Sequence, residues 1–301
     1  MVLDSRRPKC GVSLNTWPDL GTGGSGRVYD ARPLIPREDV LPVASYENLT
    51  YVEESHLAII TINRPEKHNA ISLGTLEELH SAVTVAATND EIRVICITGA
   101  GGRAFASGSD LNEVKHRDLR KSLEPIVQGL ADQLERTPKP SIAAIDGICM
   151  GGGLEIALGC DLRIATPRSR FATPEGKIGI IPGGGATARL PRIVGRGWGM
   201  EMLLMGEPID ADHALRIGLV TRLVEPDALM DEVRKMASHL AGFAPFVPQF
   251  MKAMVNAGME GSLATGLALE KFAQAALVQT DDKHEGISAF LEKRDPVWKG
   301  R

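Results

Sequence analysis

The stretch Cys149-Met150-Gly151-Gly152-Gly153-Leu154-Glu155-Ile156-Ala157-Leu158-Gly159-Cys160 sets three consecutive glycines directly ahead of a carboxylate and a small apolar run. The segment before it, SIAAIDG at 141–147, reads as a short buried strand, and GLEIALG at 153–159 as a buried helix. The glycines therefore lie at a helix N-terminus, where free N–H groups and the helix dipole favour a developing negative charge. That is half of an oxyanion hole. The competing reading is that three glycines only let helix and sheet pack closely.

A second glycine-bearing loop tips the balance. AFASGSDL at 104–111 follows the apolar strand VICITGA at 94–100, so it lies at the corresponding strand end. Two N–H groups from two such loops can grip one carbonyl oxygen, and the carboxyl edge of an α/β sheet is where ligands bind.

Working outward, the pattern alternates between strand and helix. LAIITIN (57–63) reads as a strand, LGTLEELHSAVTVAA (73–87) as an amphipathic helix, 113–136 as one polar-rich helix and DLRIAT (161–166) as a strand. Such alternation predicts an α/β fold with βα crossovers and a largely parallel sheet. Beyond about Ala211 strand signals fade, and helical patterns at 227–241 and 263–278 dominate. Residues 1–45, rich in Gly, Pro and Arg, read as an N-terminal extension, with the folded body at 46–242 and a C-terminal helical region at 243–301. Within the extension, Gly21-Thr22-Gly23-Gly24-Ser25-Gly26 matches GxGxxG, but no apolar strand precedes it and no helix follows, so it reads as a flexible linker.

Composition narrows the partners. The 301 residues carry 34 basic and 38 acidic side chains, a net charge of -4, with no long block of one sign to grip nucleic acid or an anionic membrane. No apolar run reaches membrane-spanning length, and the first 45 positions lack the apolar h-region expected of a secretory signal. Cys10, Cys96, Cys149 and Cys160 form no CxxC pair and no zinc spacing, which predicts packed reduced thiols in a cytoplasmic setting, with no disulfide scaffold and no metal. Arg6, Arg7 and Lys9 resemble a transit peptide diluted by acids; in a eukaryotic source the mitochondrial matrix is the alternative location.

From about Tyr46 onward the chain resembles the crotonase family, the enoyl-CoA hydratases and isomerases. The resemblance rests on five motifs in order: NRPEKHNAIS (63–72), AFASGSDL (104–111), IDGICMGGGLEIALGCDLRIAT (145–166), FATPEGKIGIIPGGGATARLPRIVG (171–195) and AFLEKRDPVWKG (289–300). It implies a crotonase-like ββα-superhelix core, a C-terminal helical region used in trimerisation, assembly as a homotrimer or homohexamer, an acyl-CoA thioester substrate and no cofactor beyond the coenzyme A of that substrate. It also places the oxyanion hole on the backbone N–H groups of Ser109 and Gly152, where the loop pattern had already pointed.

Fold alone does not choose among the reactions this scaffold hosts. Hydratases of the family carry two glutamates, one in GGGxE and one in the later PE segment, and Glu155 and Glu175 occupy both positions. Adding water across a conjugated double bond needs one group to deprotonate the water attacking the β-carbon and another to supply a proton at the α-carbon, which two carboxylates around one water can do. Isomerases commonly use only one acid. A lone glutamate in such a position would read as an ordinary first-turn acid, and Thr173-Pro174 ahead of Glu175 reads as a helix cap followed by a first helical residue.

By the same resemblance, Gly183 in IIPGGG matches the position whose N–H holds the attacking water. Phe290 and Lys293 match an aromatic and a basic residue that contact the adenine and phosphates of coenzyme A, often from an adjacent subunit. Lys67, Ser107, Asp110 and Leu111 join the expected coenzyme A contacts, although many hydratases place the lysine where this chain has Glu66, and several carry lysine where it has Asn112. Asp161 reads as structural. Lys115, His116, Arg117, Arg120 and Lys121 form a basic cluster that reads as a solvated helix face, with RNA, bound by one branch of the family, as the alternative. The expected activity is hydration of 2-enoyl-CoA; another crotonase reaction, such as 3,2-enoyl-CoA isomerisation or a hydratase-lyase reaction, and a non-catalytic role are the alternatives.

Overall fold

The computed structural model describes residues 46–301, so the expectations for the first 45 residues, including the glycine-rich linker, lie outside the described residues. Strands β1 (Leu49–Glu54) and β2 (Leu57–Ile62) form an antiparallel pair, and α1 (Leu73–Thr88) crosses to β3 (Val94–Gly99). Next come β4 (Ala104–Ala106) and three short helices, α2 (Leu111–Val114), α3 (Leu119–Ser122) and α4 (Ile126–Arg136). The chain continues through β5 (Ser141–Ile145), β6 (Ile148–Met150) and α5 (Gly152–Gly159), then β7 (Leu162–Ala165), β8 (Arg170–Ala172) and α6 (Ala186–Met205), the last broken at Gly195. β9 (Ile209–Asp210), α7 (Ala211–Arg216) and β10 (Arg222–Leu223) precede four terminal helices: α8 (Leu229–Ala241), α9 (Phe246–Glu260), α10 (Leu263–Val278) and α11 (Asp281–Glu292).

The strands sort into two sheets, one of order β1-β2-β3-β5-β7-β10 and one of order β4-β6-β8-β9. From β3 to β8 the chain lays one strand in the first sheet, the next in the second, then passes through helix before repeating. That is a ββα superhelix, with the pairings from β2 to β7 in the first sheet and from β4 to β8 in the second all parallel.

Strand side chains alternate between two faces, and here both faces of the large sheet are buried. Ile60, Ile62, Ile95, Ile97, Ala143 and Ile145 enter the main core with α1, α4 and α5. Their neighbours Leu57, Ile59, Val94, Cys96, Ile142 and Ala144 pack on the other side against Leu229, Val233 and Met236 of α8. This explains why the strands read as unbroken apolar runs. Leu57–Ile62, Leu73–Thr88, Val94–Gly99 and Leu263–Val278 agree with the sequence expectation to within a residue or two.

The single helix expected over 113–136 is a correction: the segment is three helices. Asp118 stops and restarts the chain, its carboxylate accepting the Lys121 N–H at 2.8 Å, and Pro125, with no N–H to give, stands at the start of α4. Among the described residues no helix is long and apolar enough to cross a membrane.

Candidate active site

The opening glycines sit where β6 turns into α5. Gly151 has φ 51° and ψ -129°, a conformation closed to residues with a Cβ. Gly153 allows close approach, since a Cβ there would lie 2.3 Å from the Ala106 carbonyl oxygen. Packing and chemistry are thus both served by the same run. No side chain caps α5, which leaves its first N–H groups free.

The second donor comes from the loop after β4. Ile71 donates its N–H to Gly108 O at 2.8 Å and accepts from the Asp110 N–H at 2.8 Å, bridging to Ser109. That pairing turns the Ser109 N–H away from Ile71, and neither it nor the Gly152 N–H donates to backbone among the described residues. A methyl placed on Gly152 would lie only 3.4 Å from Ser109 N. Two N–H groups without a backbone acceptor among the described residues therefore lie close together, on the two loops singled out from the sequence.

Both glutamates stand beside them. Glu155, 3% exposed, accepts the N–H groups of Gly184 at 2.7 Å and Ala186 at 3.1 Å on the same oxygen. Burial pushes its carboxyl upward, opposed by those N–H groups and by the Arg189 charge. Glu175 lies in a 3-10 turn at Pro174–Ile178, and its Oε1 would be 3.1 Å from a Cβ on Gly151. Its Oε2 is buried with no partner among the described residues. Burial, reinforced by the Glu155 charge, pushes the Glu175 carboxyl up to about 7. A buried oxygen without a partner and a proton affinity near neutrality suit an acid that passes protons.

A cavity of about 1200 Å³ brings these groups together, with Ser109, Gly152, Glu155, Glu175 and Gly183 on its wall. Glu175 reaches the wall by a route other than the one expected: Thr173 does not cap the turn, and its hydroxyl donates to Met202 O at 2.9 Å.

The match to known proteins is extensive. The family model described as enoyl-CoA hydratase/isomerase matches residues 52–301. The chain belongs to the enoyl-CoA hydratase/isomerase family. It is 37% identical to the short-chain-enoyl-CoA hydratase of Clostridium acetobutylicum over 82% of this chain and 95% of that one. It is 40% identical to the 2,3-dehydroadipyl-CoA hydratase of Escherichia coli over 82% of this chain and 97% of that one. The crystal structure of an enoyl-CoA hydratase from Bacillus anthracis superposes with a TM-score of 0.82 at 35% identity, covering 85% of this chain and all of that one.

In this member of the enoyl-CoA hydratase/isomerase family, Lys67, Ser107, Asp110 and Leu111 also line the cavity. Asp110 is occupied locally, capping α2 by accepting the Asn112 N–H at 3.1 Å and facing Arg64 at 3.9 Å. Phe290 and Lys293, at the end of α11, do not reach the cavity within one chain, and Phe290 is 84% exposed. Asp161 is structural as expected, accepting from the Ser141 N–H at 2.7 Å, the Ser141 hydroxyl at 2.9 Å and Lys252 at 2.7 Å.

Three features had no local signal in the sequence. The N–H groups on Glu155 belong to Gly184 and Ala186, while Gly183 stands on the open wall. Arg189 braces that loop, donating to Gly184 O at 3.1 Å while pairing with Glu135 at 2.7 Å and Asp132 at 2.5 Å on α4. Val127 of α4 packs against the would-be Cβ positions of both Gly152 and Gly184, covering the site with an apolar methyl pair.

Proposed function

We propose that the protein is a 2-enoyl-CoA hydratase, a hydro-lyase that adds water across the 2,3 double bond of an acyl-CoA thioester. The observation that carries this reading is the second carboxyl: Glu175, with a buried oxygen unpartnered among the described residues, on the same cavity wall as Glu155 and the backbone of Ser109 and Gly152.

In this mechanism the thioester oxygen accepts from the Ser109 and Gly152 N–H groups. Glu155, oriented by Gly184 and Ala186, takes a proton from water as the water oxygen bonds to the β-carbon, and the displaced electron pair moves into the enolate held by the two N–H groups. The Glu175 carboxyl gives its proton to the α-carbon, and the enolate collapses to the 3-hydroxyacyl thioester. A proton passing from Glu155 to Glu175 restores the start, so the sum is one water added. Each oxyanion donor is worth ~10²–10³ in rate.

Gly183 contributes its N–H to the attacking water. Lys67, Ser107 and Leu111 hold the coenzyme A arm, while Asp110 fixes their loop. Phe290 and Lys293 reach the nucleotide end from an adjacent subunit of a homotrimer or homohexamer, and Met251, Val255, Phe272 and Leu291, exposed on α9, α10 and α11, are the apolar surface such assembly covers. The reaction needs no cofactor beyond coenzyme A and no metal. A cytoplasmic location fits the buried free thiols of Cys96, Cys149 and Cys160.

Loss of absorbance at the conjugated enoyl-thioester band, followed over 2-enoyl-CoA substrates of increasing chain length, tests the reading. Turnover of at least one is expected. Conversion of 3-enoyl-CoA to 2-enoyl-CoA with negligible water addition would replace it with the isomerase.

A further inference from the structure

The basic cluster at 115–121 was expected to be a solvated helix face, and Lys115, His116, Arg120 and Lys121 are exposed. Arg117 is different. It is half-buried, it lines the same cavity as Glu155 and Glu175, as the exposed Lys121 also does, and its Nε and Nη2 are buried with no hydrogen-bond partner among the described residues. The acids nearest in sequence are spent elsewhere: Asp118 caps α3 through the Lys121 N–H, and Glu113 accepts the Leu73 N–H at 2.8 Å. Glu124, also on the wall, makes no ion pair with it.

A guanidinium is always charged and offers a planar fork of donors suited to a carboxylate. Buried donors left without partners cost free energy that a bound anion recovers. The position on the chain indicates which part of a ligand would supply that anion. Lys67 belongs to the turn that meets the Ser107 end of the oxyanion loop, where the Ser107 N–H donates to His68 O at 3.1 Å. Arg117 is carried on the segment leaving the other end of that loop, after Asp110, and is followed on the same wall by Ile126 and Val127, the latter against Gly152.

We propose that Arg117 recognises a carboxylate at the far end of the acyl chain, making the enzyme selective for 2-enoyl-CoA thioesters that end in an acid. The proposal deepens the hydratase reading and rests on it for the identity of the reaction, but its test reads binding and not turnover. The Kd values of hexanoyl-CoA, of its counterpart carrying a terminal carboxylate (5-carboxypentanoyl-CoA) and of free coenzyme A are measured by calorimetry on the parent, Arg117→Met and Arg117→Lys.

The parent should bind the acidic thioester ~10- to 10²-fold more tightly than hexanoyl-CoA, the worth of a charge-assisted hydrogen-bonded pair. That ratio should vanish in Arg117→Met and be partly kept in Arg117→Lys, with far-UV circular dichroism reporting that the variants are folded. Equal affinities in the parent overturn the proposal, whatever the enzyme turns over. A loss in Arg117→Met that is as large for free coenzyme A as for the acidic thioester also overturns it, because the guanidinium would then serve the phosphates. Failure to hydrate any 2-enoyl-CoA would instead strike the hydratase reading and leave the binding ratio to decide this one.

Discussion

Replacing Glu175 by Gln should stabilise the protein at alkaline pH while removing most of its activity. Burial raises this carboxyl from 4.5 to about 7, so the folded protein holds the proton more tightly than the unfolded chain does. Between pH 4.5 and about 7 stability therefore falls as pH rises, and above about 7 the full cost of the buried anion is present. At 1.36 kcal/mol per pH unit that cost is on the order of 3 kcal/mol; the cavity wall admits water, which screens it to about 1–2 kcal/mol. Gln keeps the shape and never ionises. Urea midpoints of parent and variant, at one protein concentration so that assembly does not differ, should nearly coincide at pH 5, with the variant ahead by about 1–2 kcal/mol at pH 8.5. A variant with the same difference at both pH values, or one less stable at pH 8.5, would refute the claim that Glu175 is a strained, proton-holding acid.

The remaining predictions concern the groups around the two glutamates. Gly152 is the first residue of α5, where proline costs no intrahelical hydrogen bond, although a Cβ there would lie 3.0 Å from Ser109 Oγ; Gly152→Pro that circular dichroism reports as folded should lose at least ~10²-fold in kcat through loss of one oxyanion donor, and near-normal turnover in that folded variant would take Gly152 out of the site. Arg189→Met should lower stability by about 1–2 kcal/mol, discounted because Asp132 and Glu135 remain 27% and 40% exposed, and should reduce kcat more than it raises KM by loosening the loop that aims Glu155. If Glu175 acts in its protonated form, kcat/KM for hydration should decline as pH rises through about 7, and a rate that climbs through that range would reverse the assigned roles of the two acids.

What was legible in the sequence was what repeats locally or sits in a contiguous motif. Unbroken apolar runs such as Val94–Gly99 belong to strands covered on both faces, and the glycines ahead of Glu155 mark the start of a helix that no side chain caps. The break of 113–136 into three helices had local signals, Asp118 and Pro125, that the helical periodicity outweighed. Arg189 was not legible because its partners on α4 lie more than fifty positions away, 54 for Glu135 and 57 for Asp132. Thr173 shows the same limit: its position beside Pro174 promises a cap, and tertiary packing gives its hydroxyl to Met202 instead. Arg117 looked like its exposed neighbours because the partial burial of one side chain in a charged run depends on where the short helices turn, which no local pattern records.

Glu155 and Glu175 are proposed to serve one water addition together, Glu155 deprotonating the water and Glu175 protonating the α-carbon. The direct measurement is kcat for hydration of a 2-enoyl-CoA and for conversion of the 3-enoyl isomer, on the parent, Glu155→Gln, Glu175→Gln and the double variant. Each single change should lower hydration by ~10²–10⁴ with little change in affinity for the thioester, and the double variant should lose far less than the product of the two. A nearly silent Glu175→Gln, with isomerisation abolished by Glu155→Gln alone, would contradict it.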